Sequence, residues 1–104
     1  MNESTRTDQV ASLEKLLRIA TQSDTGQARV IATVLASCYN GYRFKVDLTD
    51  LRLLDTDLLE HVINVLRLDH SPVQEVHRYF KNGGQIWEQM IKDWGLEKPR
   101  RARD

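Results

Sequence analysis

Hydrophobic residues recur along this chain with a helical period, and polar breaks divide it into segments. Val10, Leu13, Leu16, Leu17 and Ala20 fall on one face of a 3.6-residue repeat, which predicts a first amphipathic helix that Asp8 can cap. Ser23-Asp24-Thr25-Gly26 interrupts the pattern and supplies capping oxygens for a second helix. Its inner face is Ala28, Ile31, Leu35 and Cys38, and Asn40-Gly41 stops it. Tyr42-Arg43-Phe44-Lys45-Val46 then alternates with period two, as a half-buried strand does, yet no other segment offers it a partner. The favoured reading is an extended connector with Phe44 plugging the helical core. The alternative is an edge that pairs with a second copy across a two-fold axis, Tyr42, Phe44 and Val46 covering one another.

Asp47-Leu48-Thr49-Asp50-Leu51 predicts a short capped helical turn with Leu48, Leu51 and Leu54 inward. Asp55 and Asp57 open a helix to about Leu68, expected to be the central one, whose buried side is Leu59, Val62, Ile63 and Leu66. Ser71-Pro72 with Gln74 reads as a capped restart of a helix reaching Lys81 and carrying Val76, Tyr79 and Phe80. Asn82-Gly83-Gly84 stops it, and Ile86, Trp87, Met90, Ile91 and Trp94 form a last amphipathic face before Gly95. The expected fold is all-α, a small single-domain bundle of about five helices with a short extended connector at 42–46. Residues 1–8 read as a disordered N-terminus, 9–95 as one helical domain and 96–104 as a basic flexible tail.

Composition agrees with one domain. The chain has 104 residues, 40% of them hydrophobic, enough for a single core and too few for two. No apolar run approaches the ~18–20 residues of a membrane span, and the first residues lack the apolar stretch of a secretory signal, so a cytoplasmic protein is expected. A lone cysteine, Cys38, forms no internal disulfide, which suits a reducing compartment. Charge adds an asymmetry. Fifteen Lys and Arg balance fifteen Asp and Glu, but Lys98, Arg100, Arg101 and Arg103 against Asp104 leave the last seven residues at +3 and the body at −3.

Candidate chemistry is sparse. Asp47, Asp50, Asp55 and Asp57 are hard oxygen ligands, but each stands where a helix start favours an acid, and capping accounts for them. His61, His70, His77, Cys38 and Glu75 are zinc-ligand types without zinc spacing; the histidines read as surface or boundary residues and Cys38 as a buried small hydrophobe. Gly83-Gly84-Gln85 copies the tip tripeptide of peptide-release factors, but here reads as a helix stop followed by a first-turn glutamine. No enzyme, cofactor or metal is expected. Tyr79, Phe80, Trp87 and Trp94 are core residues by spacing, with a surplus that could form an apolar-aromatic docking surface. The alternative is nucleic-acid binding, with Lys98, Arg100, Arg101 and Arg103 on phosphates and the 55–81 hairpin presenting Arg78 and Lys81 to a duplex.

Asp24-Thr25-Gly26-Gln27, the Phe44…Asp47-Leu48-Thr49-Asp50-Leu51…Asp55 block and Trp94, in this order between Leu13 and Trp94, make the chain resemble a family of short uncharacterised proteins encoded on bacterial plasmids, prophages and integrative elements. The family tends to carry tryptophan where Cys38, Tyr39 and Arg52 stand here. The resemblance implies cargo of a mobile element and no mechanism. The expected function is therefore a non-enzymatic protein-interaction module, docking on a host or mobile-element protein or on a second copy of itself.

Overall fold

The computed structural model describes residues 5–97. It is all-α, as the periodicity predicts, and no strand occurs among the described residues. Helix α1 is Arg6–Gln22, α2 Gly26–Tyr39, α3 Thr56–His70 and α4 Gly83–Trp94, with short 3-10 helices at Leu48–Leu53 and Val76–Tyr79.

The caps refine the expected boundaries. At α1 the Thr5 hydroxyl accepts from the Asp8 N–H at 3.1 Å, and the Asp8 carboxylate accepts from the Thr5 N–H at 3.2 Å. Thr5, not Asp8, is thus the cap residue, and Asp8 closes a capping box. Residues 5–8 form that cap and the first turn, so α1 begins ahead of the boundary expected at residue 9. Thr25 caps α2 through the Ala28 N–H at 3.0 Å, and Asp55 caps α3 through the Leu58 N–H at 2.8 Å. At the far end of α4, Gly95 takes φ 63° and donates back into the last turn.

Helix α2 is the hub, in contact with α1, α3, α4 and both 3-10 helices. It buries Ala28, Val30, Ile31, Ala32, Val34, Leu35 and Ala36, leaving the stripe of Arg29, Thr33 and Ser37 toward solvent. This corrects the expectation that α3 is central, because α3 packs chiefly on α1. Trp87 from α4 is completely buried beside α2 and donates its indole N–H to the Leu35 carbonyl at 2.9 Å. Trp94 donates to the Ala20 carbonyl at 2.7 Å, tying the C-terminal helix to the end of α1.

The 42–46 segment is a connector. The Asn40 side chain accepts from the N–H groups of Tyr42 and Arg43 at 3.0 and 3.2 Å, turning the chain so that Tyr42 points outward and Phe44 inward against Ala36 and Ile91. The Ser71–Lys81 helix does not form. Residues 71–75 are non-helical, and only Val76–Tyr79 winds, as a 3-10 turn. Its capping signal is local, whereas the chain must here bury Val76 and bring Gly83 against the His77 carbonyl, which a straight helix cannot do. Asn82, at φ 59°, makes the reversal, and Gly83 and Gly84 open α4 rather than stop a preceding helix.

Candidate interaction surface

Helix α3 carries more apolar residues than one face can hide. Two stripes share Val62, one through Leu59, Ile63 and Leu66 and the other through Leu58, Val65 and Leu68. Val62, Val65 and Leu68 are the buried ones. Leu66, expected inside, is 45% exposed. Leu48, also expected inside, is 75% exposed at the start of its 3-10 helix, while Leu54 is buried.

These two leucines flank an apolar pocket of about 180 Å³ between the connector, α2 and α3, lined also by Val34, Cys38, Val46 and Leu51. Burial pushes the Cys38 thiol up to about 12, with the Asp69 charge adding to the effect. The Cys38 sulfur in the pocket wall is therefore neutral and weakly reactive. On the other side of Leu66 lies an open groove of about 640 Å³ bounded by Arg6, Gln9, Ile63, Leu66, Arg67, His70 and Ser71. The Arg6 guanidinium reaches the Ser71 carbonyl at 3.4 Å.

Two polar clusters lie elsewhere. Ser12, 2% exposed in α1, has its hydroxyl 2.9 Å from His61 Nδ1 and accepts from Asn64 Nδ2 at 2.9 Å, while His61 Nε2 stands 3.9 Å from an Asp57 carboxylate oxygen. Which of the hydroxyl and Nδ1 donates depends on the His61 tautomer. A serine, a histidine and an acid meet here, but the hydroxyl is sealed between two helices; the cluster fixes the register of α1 on α3. In the second cluster Arg43 grips Glu88 at 2.8 Å and Glu97 at 2.6 Å, and the Tyr39 hydroxyl donates to Glu88 at 2.5 Å. Hydrogen bonds from Arg43 and then Tyr39 draw the Glu88 carboxyl down to about 2. This cluster locks the connector to α4.

A family model matches residues 10–95. The chain belongs to that family of unknown function, DUF7673. No curated protein and no solved structure matches it significantly. The family span covers the helical body from Val10 onward, including Leu48, Leu66 and the pocket between them, and leaves the first turn of α1 outside, with Arg6 and Gln9 of the groove.

Within that body the aromatic residues expected to dock a partner are structural. Trp87 is fully buried, and Tyr79, Phe80 and Trp94 are half-buried against the core. Phe80 packs on Trp87 with ring centroids 5.7 Å apart. Arg78 and Lys81 are exposed, but not on the second helix of a hairpin, since that helix is absent; the helix-turn-helix reading loses its recognition element. Lys98, Arg100, Arg101 and Arg103 lie outside the described residues. Asp47 accepts from the Thr49 N–H and Asp55 from the Leu58 N–H, and no group of three metal-ligating side chains gathers among the described residues. None of the described helices is long and apolar enough to cross a membrane. The residues that sequence reasoning missed are Leu48 and Leu66, hidden by an ambiguous apolar pattern, and Ser12, which shares a helical stripe with Leu16 and Ile19.

Proposed function

We propose that this chain is a non-enzymatic protein-interaction module carried by a bacterial mobile genetic element, acting in the cytoplasm on a host or element protein through the α3 face around Leu66. The observation that supports this reading is the pair of exposed leucines, Leu48 and Leu66, at 75% and 45%, on either side of an apolar pocket. Large apolar side chains left in water beside a concave apolar surface are the usual signature of a docking site. The mobile-element setting rests on the resemblance carried by the Asp24–Gln27 and Asp47–Asp55 blocks. A second copy is the other occupant the face could take.

The test compares the parent with a Leu48→Glu, Leu66→Glu double variant, by light scattering and by cross-linked capture in the host bacterium. Both substitutions fall on exposed positions, so the variant is expected to melt within about 1 kcal/mol of the parent. A partner or second copy held by the parent and released by the variant supports the reading. Equal retention by both proteins, or a parent that is monomeric and retains nothing, refutes it.

A further inference from the structure

The groove beside Leu66 has a chemistry of its own. Two guanidiniums, Arg6 and Arg67, and the His70 imidazole line it together with the apolar Ile63 and Leu66, and among the described residues no carboxylate does. This is unexpected in a body that carries a net charge of −3. Among the described residues neither arginine has an ion-pair partner, in contrast to Arg43 with its two carboxylates. Asp69, next to His70 in sequence, interacts electrostatically with Cys38 and Glu75 and does not line the groove. Arg6 makes one 3.4 Å contact to the Ser71 carbonyl, which aims the guanidinium at the end of α3 and leaves most of its donors for a ligand.

From this geometry we infer that the partner segment seated at this face is an acidic peptide bearing at least one bulky apolar side chain. Its carboxylates pair with Arg6 and Arg67 while the apolar side chain covers Ile63 and Leu66. Arginine suits this role because its planar fork takes a carboxylate bidentately. Charge complementarity selects this occupant: a basic segment is repelled by the two arginines, and a neutral apolar one leaves both guanidiniums without counter-charge. A nucleic acid would satisfy the arginines but leave Ile63 and Leu66 without a hydrophobic partner. The inference rests on the interaction reading above and specifies its ligand.

The test is a selection of random twelve-residue peptides displayed on phage against the full chain, with counter-selection on an Arg6→Glu, Arg67→Glu variant. Selected peptides are then synthesised and titrated by fluorescence anisotropy. The expected result is enrichment of net-negative sequences containing Leu, Ile, Phe or Trp, with affinity falling at least tenfold for either Arg67→Glu or Leu66→Glu, and severalfold between 50 and 500 mM salt because the groove is open. The melting midpoints of the variants control for folding. Neutral or basic winners, no enrichment over the arginine variant, or a single-stranded oligonucleotide that competes at equal concentration overturns the inference. So does a concentration-dependent dimer that Arg67→Glu abolishes, since the occupant is then a second copy. Each of these outcomes leaves the Leu48, Leu66 comparison to decide the broader reading separately.

Discussion

Replacing Gly83 with alanine sets helix propensity against packing, and the two predict opposite signs. Alanine is favoured over glycine by up to ~1 kcal/mol in a helix, and it also stabilises by restricting the unfolded chain. On those grounds Gly83→Ala, in the first turn of α4, should be neutral or stabilising. The structure predicts the reverse. A methyl group at Gly83 overlaps the His77 carbonyl oxygen and lies 2.7 Å from its carbon, and neither atom belongs to a flexible side chain. Relief requires the Val76–Tyr79 turn to lift away from α4, which opens the packing around Val76, 1% exposed, and Trp87, 0% exposed. Overpacking of this kind costs ~1–3 kcal/mol and partial exposure of a buried valine adds ~1 kcal/mol; against the ~1 kcal/mol that alanine gains, a net loss of ~1–3 kcal/mol is expected. For a domain of this size that lowers the melting midpoint by roughly 4–24 °C. Gly84 is the internal control, since a methyl there meets only the His77 ring at 3.9 Å, ordinary contact. Gly84→Ala should therefore lie within ~1 kcal/mol of the parent, on the stabilising side. Urea denaturation of both variants gives the answer. Equal stabilities for the two alanine variants would falsify the close-approach argument.

Phe44→Lys should leave a monomer destabilised by several kcal/mol, with a lowered midpoint, because Phe44 is 5% exposed against Ala36 and Ile91; lost association at an unchanged midpoint would revive the dimer-edge alternative. Glu88 is held below the ordinary carboxylate range in the folded state, so its contribution to stability is present above ~4.3 and is lost as pH falls from there toward about 2. Its exposure limits that contribution to at most ~1 kcal/mol, and Glu88→Gln should flatten the acid limb of the stability profile; an unchanged limb would show that the cluster is energetically silent. The Cys38 thiol, pushed up to about 12, should react with aromatic disulfide reagents at pH 8 far more slowly in the native protein than in urea, and equal rates would contradict its burial. Asn82→Val should cost ~1–2 kcal/mol and Asn82→Gly almost nothing, as φ 59° is strained for a β-branched residue; similar midpoints for the two would argue against the left-handed turn.

The elements that could be read from sequence are those with one unambiguous apolar stripe. In α1 the predicted inner residues Leu13, Leu16, Leu17 and Ala20 are buried and Val10 half-buried, and in α4 Trp87, Met90 and Ile91 are buried with Ile86 and Trp94 half-buried. In α3 the pattern supports two registers, and the choice between them is made by α1, which arrives from a distant part of the chain. Periodicity cannot rank two apolar stripes on one helix, so it places Leu66 inward and leaves the face that Leu66 creates illegible. At 71–81 the conflict was between levels: Ser71, Pro72 and Gln74 form a sound start signal, but burial of Val76 and the approach of Gly83 to His77 prevail over it. The groove was illegible for a different reason. Arg6 and Arg67 look like two solvated cations in the sequence, and only the pairing of α1 with α3 brings them to one groove.

The indole bond from Trp94 to the carbonyl of Ala20 spans 74 residues, and α1 finds its main packing partner in α3, beyond the whole of α2. When a ribosome makes this chain, α1 emerges before α2 and α3, its packing partners, are synthesised, and the bond that secures its end appears only with the last turn of α4. A topology that joins early and late residues in this way favours folding in one concerted step after nearly all of the chain has been released. It also makes integrity an all-or-none property: a product of premature termination short of Trp94 lacks that tie, and its exposed α1 marks it for proteolysis.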